Sequence, residues 1–374
     1  MKLKIKSQIK EVDLILLFDV MALLIFGLVS VASASFPTTI KYDVNRFYYL
    51  IRQLVWMVLG IFSVLFIIKV NKNFIKKNIN WVFLLSIILI FMLWTPMGKL
   101  VNGQVRWLKI EIAGREIFAF QPSDILKVSS ILFLAKYLAN NFNKIKEDSI
   151  FVTILVIMGF SIVPIMVKDF STAIVIGLAL FAMFTSAGMT KKEFLIMLLM
   201  GLGLVVVILM GPGSKYRRER IMGLIASDQG DVSDELYQIT QSLYAIALGG
   251  YTGSGFFQSK QKYANLPEAH TDFIFSVISE EFGFVGALVL IILYLILIYR
   301  GFKIATQTDD LFYKFTAIGI TTYIGIQAFF NIGVTCKILP VTGITLPFIS
   351  YGGTALVMSM VAVGLLLKIS KDGN

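Results

Sequence analysis

Residues 266–300 read LPEAHTDFIFSVISEEFGFVGALVLIILYLILIYR. From residue 273 onward this stretch is apolar over a length that can cross a bilayer, since a hydrocarbon core of roughly 30 Å needs about 20 residues of helix. Its first part places Glu268, His270 and Asp272 within five positions, and His270 is the only histidine of the chain. Ionisable groups are costly to keep at a membrane boundary, so the cluster predicts a functional site. The alternative is that Thr271 or Asp272 caps the helix that follows.

The whole chain shares this apolar character. Hydrophobic residues make up 57% of it and charged residues 15%, and the mean hydropathy is +0.81. Ten runs are long enough to span a membrane, at about 14–35, 50–70, 79–97, 122–139, 150–167, 171–188, 193–211, 273–300, 313–335 and 346–368. The first is too long for a cleaved signal peptide and contains Asp19. The sequence therefore predicts an all-α integral membrane protein.

We expect one polytopic domain over residues 1–374, with about ten transmembrane helices and a large extracellular loop, residues 212–272, between the seventh and the eighth. Lys and Arg are denser in the segments on the side of the N-terminus, which predicts that both termini are cytoplasmic. A chain with most of its mass in lipid is not expected to bind nucleic acid.

Basic residues are also concentrated in two of the predicted outer segments. They are Lys99, Arg106, Lys109 and Arg115 in the first, and Lys215, Arg217, Arg218, Arg220, Lys260 and Lys262 in the second. Positive charge outside runs against the usual bias and indicates attraction of an anionic group, such as a pyrophosphate or a lipid headgroup. The alternative is that long loops cross the membrane whatever their charge.

Other features of the sequence limit or suggest the chemistry of a site. The single cysteine, Cys336, excludes an intrachain disulfide, and the single histidine excludes a paired-histidine zinc site. A glycine-rich turn at residues 249–255 offers backbone N–H groups that could hold a phosphate, although such turns are often only flexible connections.

Polar residues also lie inside the apolar runs. Asp272, Ser276 and Glu280 are spaced four apart, which would place them on one helical face, lining a cavity or forming a hydrogen-bond ladder between helices. Asp124 and Lys127 are three apart at the start of the fourth run and can pair. Residues 340–354 contain two prolines and three glycines, so their backbone cannot be helical throughout.

These motifs resemble those of the SEDS glycosyltransferases, the family of FtsW, RodA and SpoVE. The resemblance covers nearly the whole chain. It includes Ser33-Ala34-Ser35, Arg52-Gln53, Arg106-Trp107, Phe120-Gln121-Pro122-Ser123, residues 266–275 with Glu280-Glu281-Phe282-Gly283, and residues 346–353. The match at 266–275 and the short tails favour an FtsW-like member, although division, elongation and sporulation proteins share much of it.

The resemblance implies that the chain polymerises lipid II on the outer face of the bacterial cytoplasmic membrane. In the family pattern LPExHTDFIF the aspartate, here Asp272, is essential and is the proposed catalytic base. Lys127 matches a family lysine, and Asp124 replaces the usual glutamate, which shortens its reach toward Lys127. Of the pattern QPD-GTA, only Asp169, Thr172 and Ala173 are kept. A class B penicillin-binding protein (a transpeptidase) and other division or elongation membrane proteins are the partners the resemblance implies.

The expected chemistry is an inverting glycosyl transfer that releases a polyprenyl pyrophosphate, for which one base is sufficient. We expect the side chains near the sugar or the pyrophosphate to be Lys127, Asp124, Arg106, Arg217, Arg218, Lys260, Lys262, His270, Glu268 and Glu280. The sequence makes no cofactor certain, and a divalent cation, Mg²⁺ or Mn²⁺, is left open as an aid to charge neutralisation.

Two alternatives remain from the sequence. A transporter (flippase) of lipid-linked precursors would use the same charges, although its site should lie near the membrane midplane rather than at one face. A non-catalytic division scaffold would leave the cluster of Glu268, His270 and Asp272 unexplained.

Overall fold

The computed structural model describes residues 12–101, 104–112, 115–166, 168–210, 234–264 and 266–373. Its long helices are α1 (Leu14–Ala34), α3 (Tyr48–Lys69), α4 (Lys72–Phe91), α5 (Pro122–Asn140), α6 (Asp148–Met166), α7 (Phe170–Ala187), α8 (Lys191–Met210), α11 (Ile274–Gln307), α12 (Leu311–Thr335) and α13 (Gly353–Asp372). Short helices are α2 (Phe36–Lys41), α9 (Asp234–Gly249) and α10 (Gln261–Ala264).

Each apolar run predicted to span the membrane coincides with one of the long helices. Among the described residues, eight helices are long and apolar enough to cross a membrane by length and composition, and α5 and α8 are not among them. The all-α fold class and the multi-pass membrane character are thus confirmed, while the number ten and the position of the large loop stay predictions.

Carboxylates fix the starts of three helices. Asp13, Asp169 and Asp310 each accept a hydrogen bond from a backbone N–H in the first turn of α1, α7 and α12, at 3.0, 3.2 and 3.0 Å respectively. Such caps satisfy N–H groups that have no partner within the helix.

A three-stranded antiparallel sheet, absent from the prediction, lies between α4 and α5. It consists of β1 (Gly98–Val101), β2 (Gln104–Ile112) and β3 (Arg115–Phe120), in the order β1-β2-β3. Leu108 of β2 pairs with Phe120, the last residue before the turn into α5. The alternation of apolar and polar residues at 108–112 is the sequence signal for this sheet.

Helix α12 lies at the centre of the bundle and packs against α5, α7 and α11. Gly319 permits this close approach, because a Cβ atom there would stand 2.5 Å from Met183 Sδ of α7 and 2.6 Å from Ile131 Cγ2 of α5. After α12, residues 336–352 form turns without a helix or strand, as the prolines and glycines predicted. We call these residues the irregular segment.

Helix α11 is broken at Gly283, where φ is 65° and ψ is −165°. The glycine-rich turn packs against this break, with Ser254 N and Gly255 N donating to the carbonyls of Glu280 (2.8 Å) and Glu281 (3.1 Å). These carbonyls end the first part of α11 and would otherwise lack helical partners. The N–H groups of Ser254 and Gly255 are therefore bonded to protein carbonyls, which removes these two donors from the phosphate contact suggested for the turn.

Candidate active site

Asp272 lies in a turn two residues before α11 and is half-buried. Three successive carbonyls around it accept hydrogen bonds from α12 or the irregular segment: Tyr351 N donates to His270 O (2.9 Å), Ser350 Oγ to Thr271 O (2.5 Å) and Asn331 Nδ2 to Asp272 O (2.8 Å). The backbone that carries the Asp272 carboxylate is therefore held at every residue from 270 to 272.

The helical-face hypothesis for Asp272, Ser276 and Glu280 is wrong for Asp272, because α11 begins only at Ile274. Ser276 Oγ instead hydrogen-bonds Ser242 Oγ of α9 at 2.6 Å, which is the ladder between helices that the sequence left open. Helix capping by Thr271 is not seen either. The N-cap of α11 is Phe273, and the Thr271 hydroxyl donates to Glu268 Oε2 at 2.8 Å.

Arg106 meets Asp272 across Gly343 of the irregular segment. A Cβ atom on Gly343 would stand 2.7 Å from Arg106 Nη1 and 3.4 Å from Asp272 Oδ2, so a guanidinium and a carboxylate flank the same glycine. Any larger residue at 343 would push into the space that the two charges share. Arg106 and Asp272 therefore lie on either side of one glycine, and their roles toward a substrate stay predictions.

The sheet sets the position of Arg106. Its Nε donates to Gln104 Oε1 at 2.8 Å and to the Lys168 carbonyl at 3.3 Å. These contacts leave Nη1 directed to Gly343. Strand β2 thus carries a basic residue into the bundle from a segment that the sequence predicted only as a loop.

Asp124 and Lys127 form a buried ion pair on α5, with Lys127 Nζ 2.8 Å from Asp124 Oδ1 and side chains only 3% and 5% exposed. The shorter carboxylate therefore reaches the lysine. The ammonium also donates to Gln327 Oε1 of α12 at 3.1 Å and lies 5.3 Å from the Tyr323 ring centroid. These protein partners surround the Lys127 charge.

A chain of hydrogen bonds runs from this ion pair to the segment that holds Arg106. Thr354 Oγ1 donates to Asp124 Oδ2 (3.0 Å) and accepts from Gln121 N (3.3 Å). The side-chain amide of Gln121 donates from Nε2 to Asp169 Oδ2 at 3.1 Å. Asp169 follows Lys168, whose carbonyl accepts from Arg106, so the start of α5 is connected to the site.

His270 is 9% exposed, and its ring lies against two tyrosines, with centroids 4.9 Å from Tyr49 and 5.6 Å from Tyr351. Burial lowers the pKa of His270 below its ordinary value, while the nearby Glu268 carboxylate acts in the opposite direction. Its Nδ1 has no hydrogen-bond partner among the described residues.

Lys262 and Glu280 belong to a separate structural cluster around the broken helix. The fully buried Lys262 ammonium pairs with Glu281 Oε1 at 2.6 Å and donates to Ser33 Oγ of α1 at 2.7 Å. Burial lowers the pKa of Lys262, and Glu281 opposes this shift. Glu280 accepts from Ser259 Oγ and Lys260 N, both at 2.6 Å. Both side chains therefore have protein partners, and their contact with a pyrophosphate stays a prediction.

Three predicted site residues remain, Lys260, Arg217 and Arg218. The Lys260 side chain is exposed. Arg217 and Arg218 lie outside the residues that the structure describes. Within the described ranges, no group of three or more His, Cys, Asp or Glu residues could hold a metal ion, so the possible divalent cation stays a prediction.

Several site residues were not singled out from the sequence. The clearest are Gln327 and Asn331, two amides four residues apart on the same face of α12. Gln327 Nε2 donates to Thr345 O and Asn331 Nδ2 to Ile344 O, at 2.9 and 2.8 Å, and so both fasten the irregular segment. Their spacing within an apolar helix was the available signal.

Known proteins are similar to this chain over nearly its whole length. The family model described as cell cycle protein, FtsW/RodA/SpoVE, matches residues 14–374. Stage V sporulation protein E of Bacillus subtilis is 36% identical over 368 residues, or 96% of this chain and 97% of the relative. The probable peptidoglycan glycosyltransferase FtsW of Geobacter sulfurreducens is 34% identical over 367 residues, or 97% and 96%.

Two solved structures have the same fold. One, described as structural coordination of polymerization and crosslinking by a peptidoglycan synthase complex, gives a TM-score of 0.78 at 27% identity and covers 96% of this chain and 98% of its own. The rod shape determining protein RodA of Thermus thermophilus gives 0.71 at 24% identity over 97% of each chain. With its bundle and with Asp272 in the matching motif, the chain belongs to the FtsW/RodA/SpoVE family.

Proposed function

We propose that the chain is a peptidoglycan glycosyltransferase that polymerises lipid II, with Asp272 as the catalytic base. The observation that carries this proposal is the meeting of the Asp272 carboxylate and the Arg106 guanidinium across Gly343. The names of the relatives support the reaction class. A base beside a fixed positive charge is what transfer from a sugar pyrophosphate needs.

The reaction is a single displacement. A hydroxyl oxygen of the acceptor sugar attacks the anomeric carbon of the donor, and the bond from that carbon to the pyrophosphate oxygen breaks. The pyrophosphate leaves with the bonding electrons, and the Asp272 carboxylate takes the hydroxyl proton. One displacement inverts the anomeric carbon, so an α-linked donor gives a β-linked glycan.

The charges have different tasks in this scheme. Arg106 Nη1 neutralises the departing pyrophosphate, since a preorganised cation stabilises charge that develops in the transition state. Lys127 is surrounded by protein partners and acts by fastening α5 to α12 rather than by touching substrate. His270 and Glu268 lie beside Asp272 in the same turn.

The setting of the reaction is also a proposal. We place both termini in the cytoplasm and the Asp272 site on the outer face of the bacterial cytoplasmic membrane, because Lys and Arg are denser on the N-terminal side. A class B penicillin-binding protein is the expected partner. The synthase complex among the similar structures, in which polymerization and crosslinking are coordinated, supports this partner.

Replacement of Asp272 by Asn tests the proposal, because Asn keeps the shape and cannot accept the proton. With the purified protein, its penicillin-binding partner and lipid II, we expect the rate of glycan formation to fall roughly 10²- to 10⁴-fold. Thermal unfolding and partner binding of the variant serve as controls. Equal rates for variant and wild type would place the base elsewhere. A wild type that makes no glycan but moves lipid II across liposomes would identify a transporter.

A further inference from the structure

Three aromatic rings from three separate parts of the chain meet beside the proposed active site. The ring centroid of Tyr49, on the first turn of α3, is 4.9 Å from His270 and 5.1 Å from Tyr351 of the irregular segment. His270 and Tyr351 are 5.6 Å apart, so the three rings form a closed triangle. We call these three residues the aromatic platform.

The platform is open to a ligand on part of its surface. Tyr49 and Tyr351 are half-buried, whereas a ring triangle that served only as core would be covered. His270 is more than nine-tenths buried and keeps one ring nitrogen, Nδ1, without a hydrogen-bond partner among the described residues. Because Nδ1 itself is covered, His270 contributes its ring to the platform, and the accessible surface comes from the two tyrosines.

A cation stands at the edge of the platform. Arg52 is exposed, donates from Nη1 to Tyr48 OH at 2.5 Å and lies 5.3 Å from the Tyr48 ring centroid. Tyr48 in turn packs edge-to-face on Tyr49 at 5.2 Å. The Arg52 guanidinium is thus linked through Tyr48 to the edge of the platform. An anionic group attached to a ligand on the rings would meet this charge.

The position of the platform fits the proposed reaction. Tyr351 N donates to the His270 carbonyl at 2.9 Å, and His270 is two residues from Asp272. Arg106 reaches Asp272 from β2, whereas the platform is built from α3, the turn before α11 and the irregular segment. The site therefore has two sides of different chemistry. Arg106 lies near the Asp272 carboxylate on one side, and the aromatic platform lies on the other.

We propose that Tyr49, His270 and Tyr351 bind one sugar ring of the lipid-linked substrate, and that Arg52 contacts its phosphate. The apolar C–H face of a pyranose packs on aromatic rings, while the hydroxyls at its edge bond with the hydroxyls of the two tyrosines. This inference rests on the proposed glycosyltransferase function and adds residues that bind the sugar to it.

Substitution of the two tyrosines tests the platform. Tyr49→Leu and Tyr351→Leu remove the rings, and we expect each to raise the KM for lipid II roughly three- to tenfold with kcat changed less than about twofold. Tyr49→Phe and Tyr351→Phe keep the rings and should rescue most of this loss. Tyr251→Leu is the matched control, since Tyr251 is 82% exposed on the glycine-rich turn, away from the platform. Leucine variants with the KM of this control would overturn the proposal.

Two further measurements test the proposal if a leucine variant does not fold or if the wild type is inactive. If a leucine variant fails to fold, Arg52→Gln takes its place, because Arg52 is exposed and its loss spares the core. An unchanged KM in Arg52→Gln then overturns the proposal, and a several-fold rise supports it. If the wild type makes no glycan, the proposed function fails separately. In that case the binding of lipid II to the detergent-solubilised protein is measured. Weaker binding by the Tyr351→Leu or Arg52→Gln protein supports the platform, and binding equal to wild type overturns it.

Discussion

The side chain of Lys127 carries a positive charge inside the helix bundle, and Asp124 makes this position tolerable. Both side chains are at most 5% exposed, and the pair is joined to Gln327 and Thr354 on two other helices. Charges taken out of water are costly unless they are paired and hydrogen-bonded. The pair therefore matters to the fold as much as to the chemistry.

Removing one partner of this pair should destabilise the protein. We expect Asp124→Asn to lower the free energy of unfolding by about 3 kcal/mol, because it leaves the Lys127 charge buried and unpaired. Asp124→Glu keeps the charge and should stay close to wild type. The measurement is the apparent Tm in detergent. The double variant Asp124→Asn with Lys127→Met should recover stability, and an Asp124→Asn protein as stable as wild type would contradict this account.

The sequence predicted contacts between residues that lie close together in the chain. The spacing of Asp124 and Lys127 was enough to predict their pairing, because residues three apart share a helical face. The meeting of Arg106 with Asp272 was not predictable in this way, since it depends on how a β-strand and the irregular segment cross. The pairing of Lys262 was missed for the same reason, because its partner Glu281 is 19 residues away in the chain.

At the scale of elements, the break in α11 determines how the glycine-rich turn packs against this helix. Gly283 has a positive φ of 65°, and a Cβ atom there would stand 2.3 Å from Gly253 N and 2.6 Å from Tyr251 O. The glycine-rich turn and the helix break thus fit only because neither carries a side chain at the contact. This arrangement also fixes the Glu280 and Glu281 carbonyls.

Gly283→Ala should therefore destabilise the protein. We expect a loss of at least roughly 1–3 kcal/mol from backbone strain alone, with the steric contact added to it. Gly201→Ala is a suitable control, because Gly201 lies in α8 with nothing within 4 Å of its added Cβ atom. The control should match or exceed wild type by about 0.5–1 kcal/mol. Apparent Tm values compare the two variants, and equal values would show that the break tolerates a side chain.

Hydropathy predicted the positions of the long helices because burial in lipid demands long apolar runs. The same reasoning missed the sheet of β1, β2 and β3, since strands of 4, 9 and 6 residues leave a short and weak alternating pattern. The break in α11 was not predicted either. Gly283 lies in an apolar run, and only the turn packed against it shows why the helix is interrupted.

At the scale of the whole molecule, the orientation in the membrane decides which reaction the site can perform. Glycan synthesis from lipid II requires the Asp272 site and the glycine-rich turn to face outward. The loop between α5 and α6 must then face the cytoplasm, which agrees with its lysines. Orientation can be measured without any assay of activity.

Cysteine labelling in intact cells tests the orientation. In a Cys336→Ser background, Tyr251→Cys should react with a membrane-impermeant maleimide, because Tyr251 is 82% exposed on the proposed outer side. Lys146→Cys, exposed in the loop after α5, should react only after the membrane is opened. The reverse pattern would invert the proposed topology and exclude synthesis on the outer face.

The three carbonyls held around Asp272 have a consequence for how the protein is made. Their donors, Asn331, Ser350 and Tyr351, all lie C-terminal to the residues they hold. During synthesis the aspartate therefore leaves the ribosome well before the groups that orient it, since chains emerge from the N-terminus. The nascent protein passes through a stage in which Asp272 is present but not positioned. Productive geometry arises only when α12 and the irregular segment have been added, so a chain interrupted before them carries the motif without the active site.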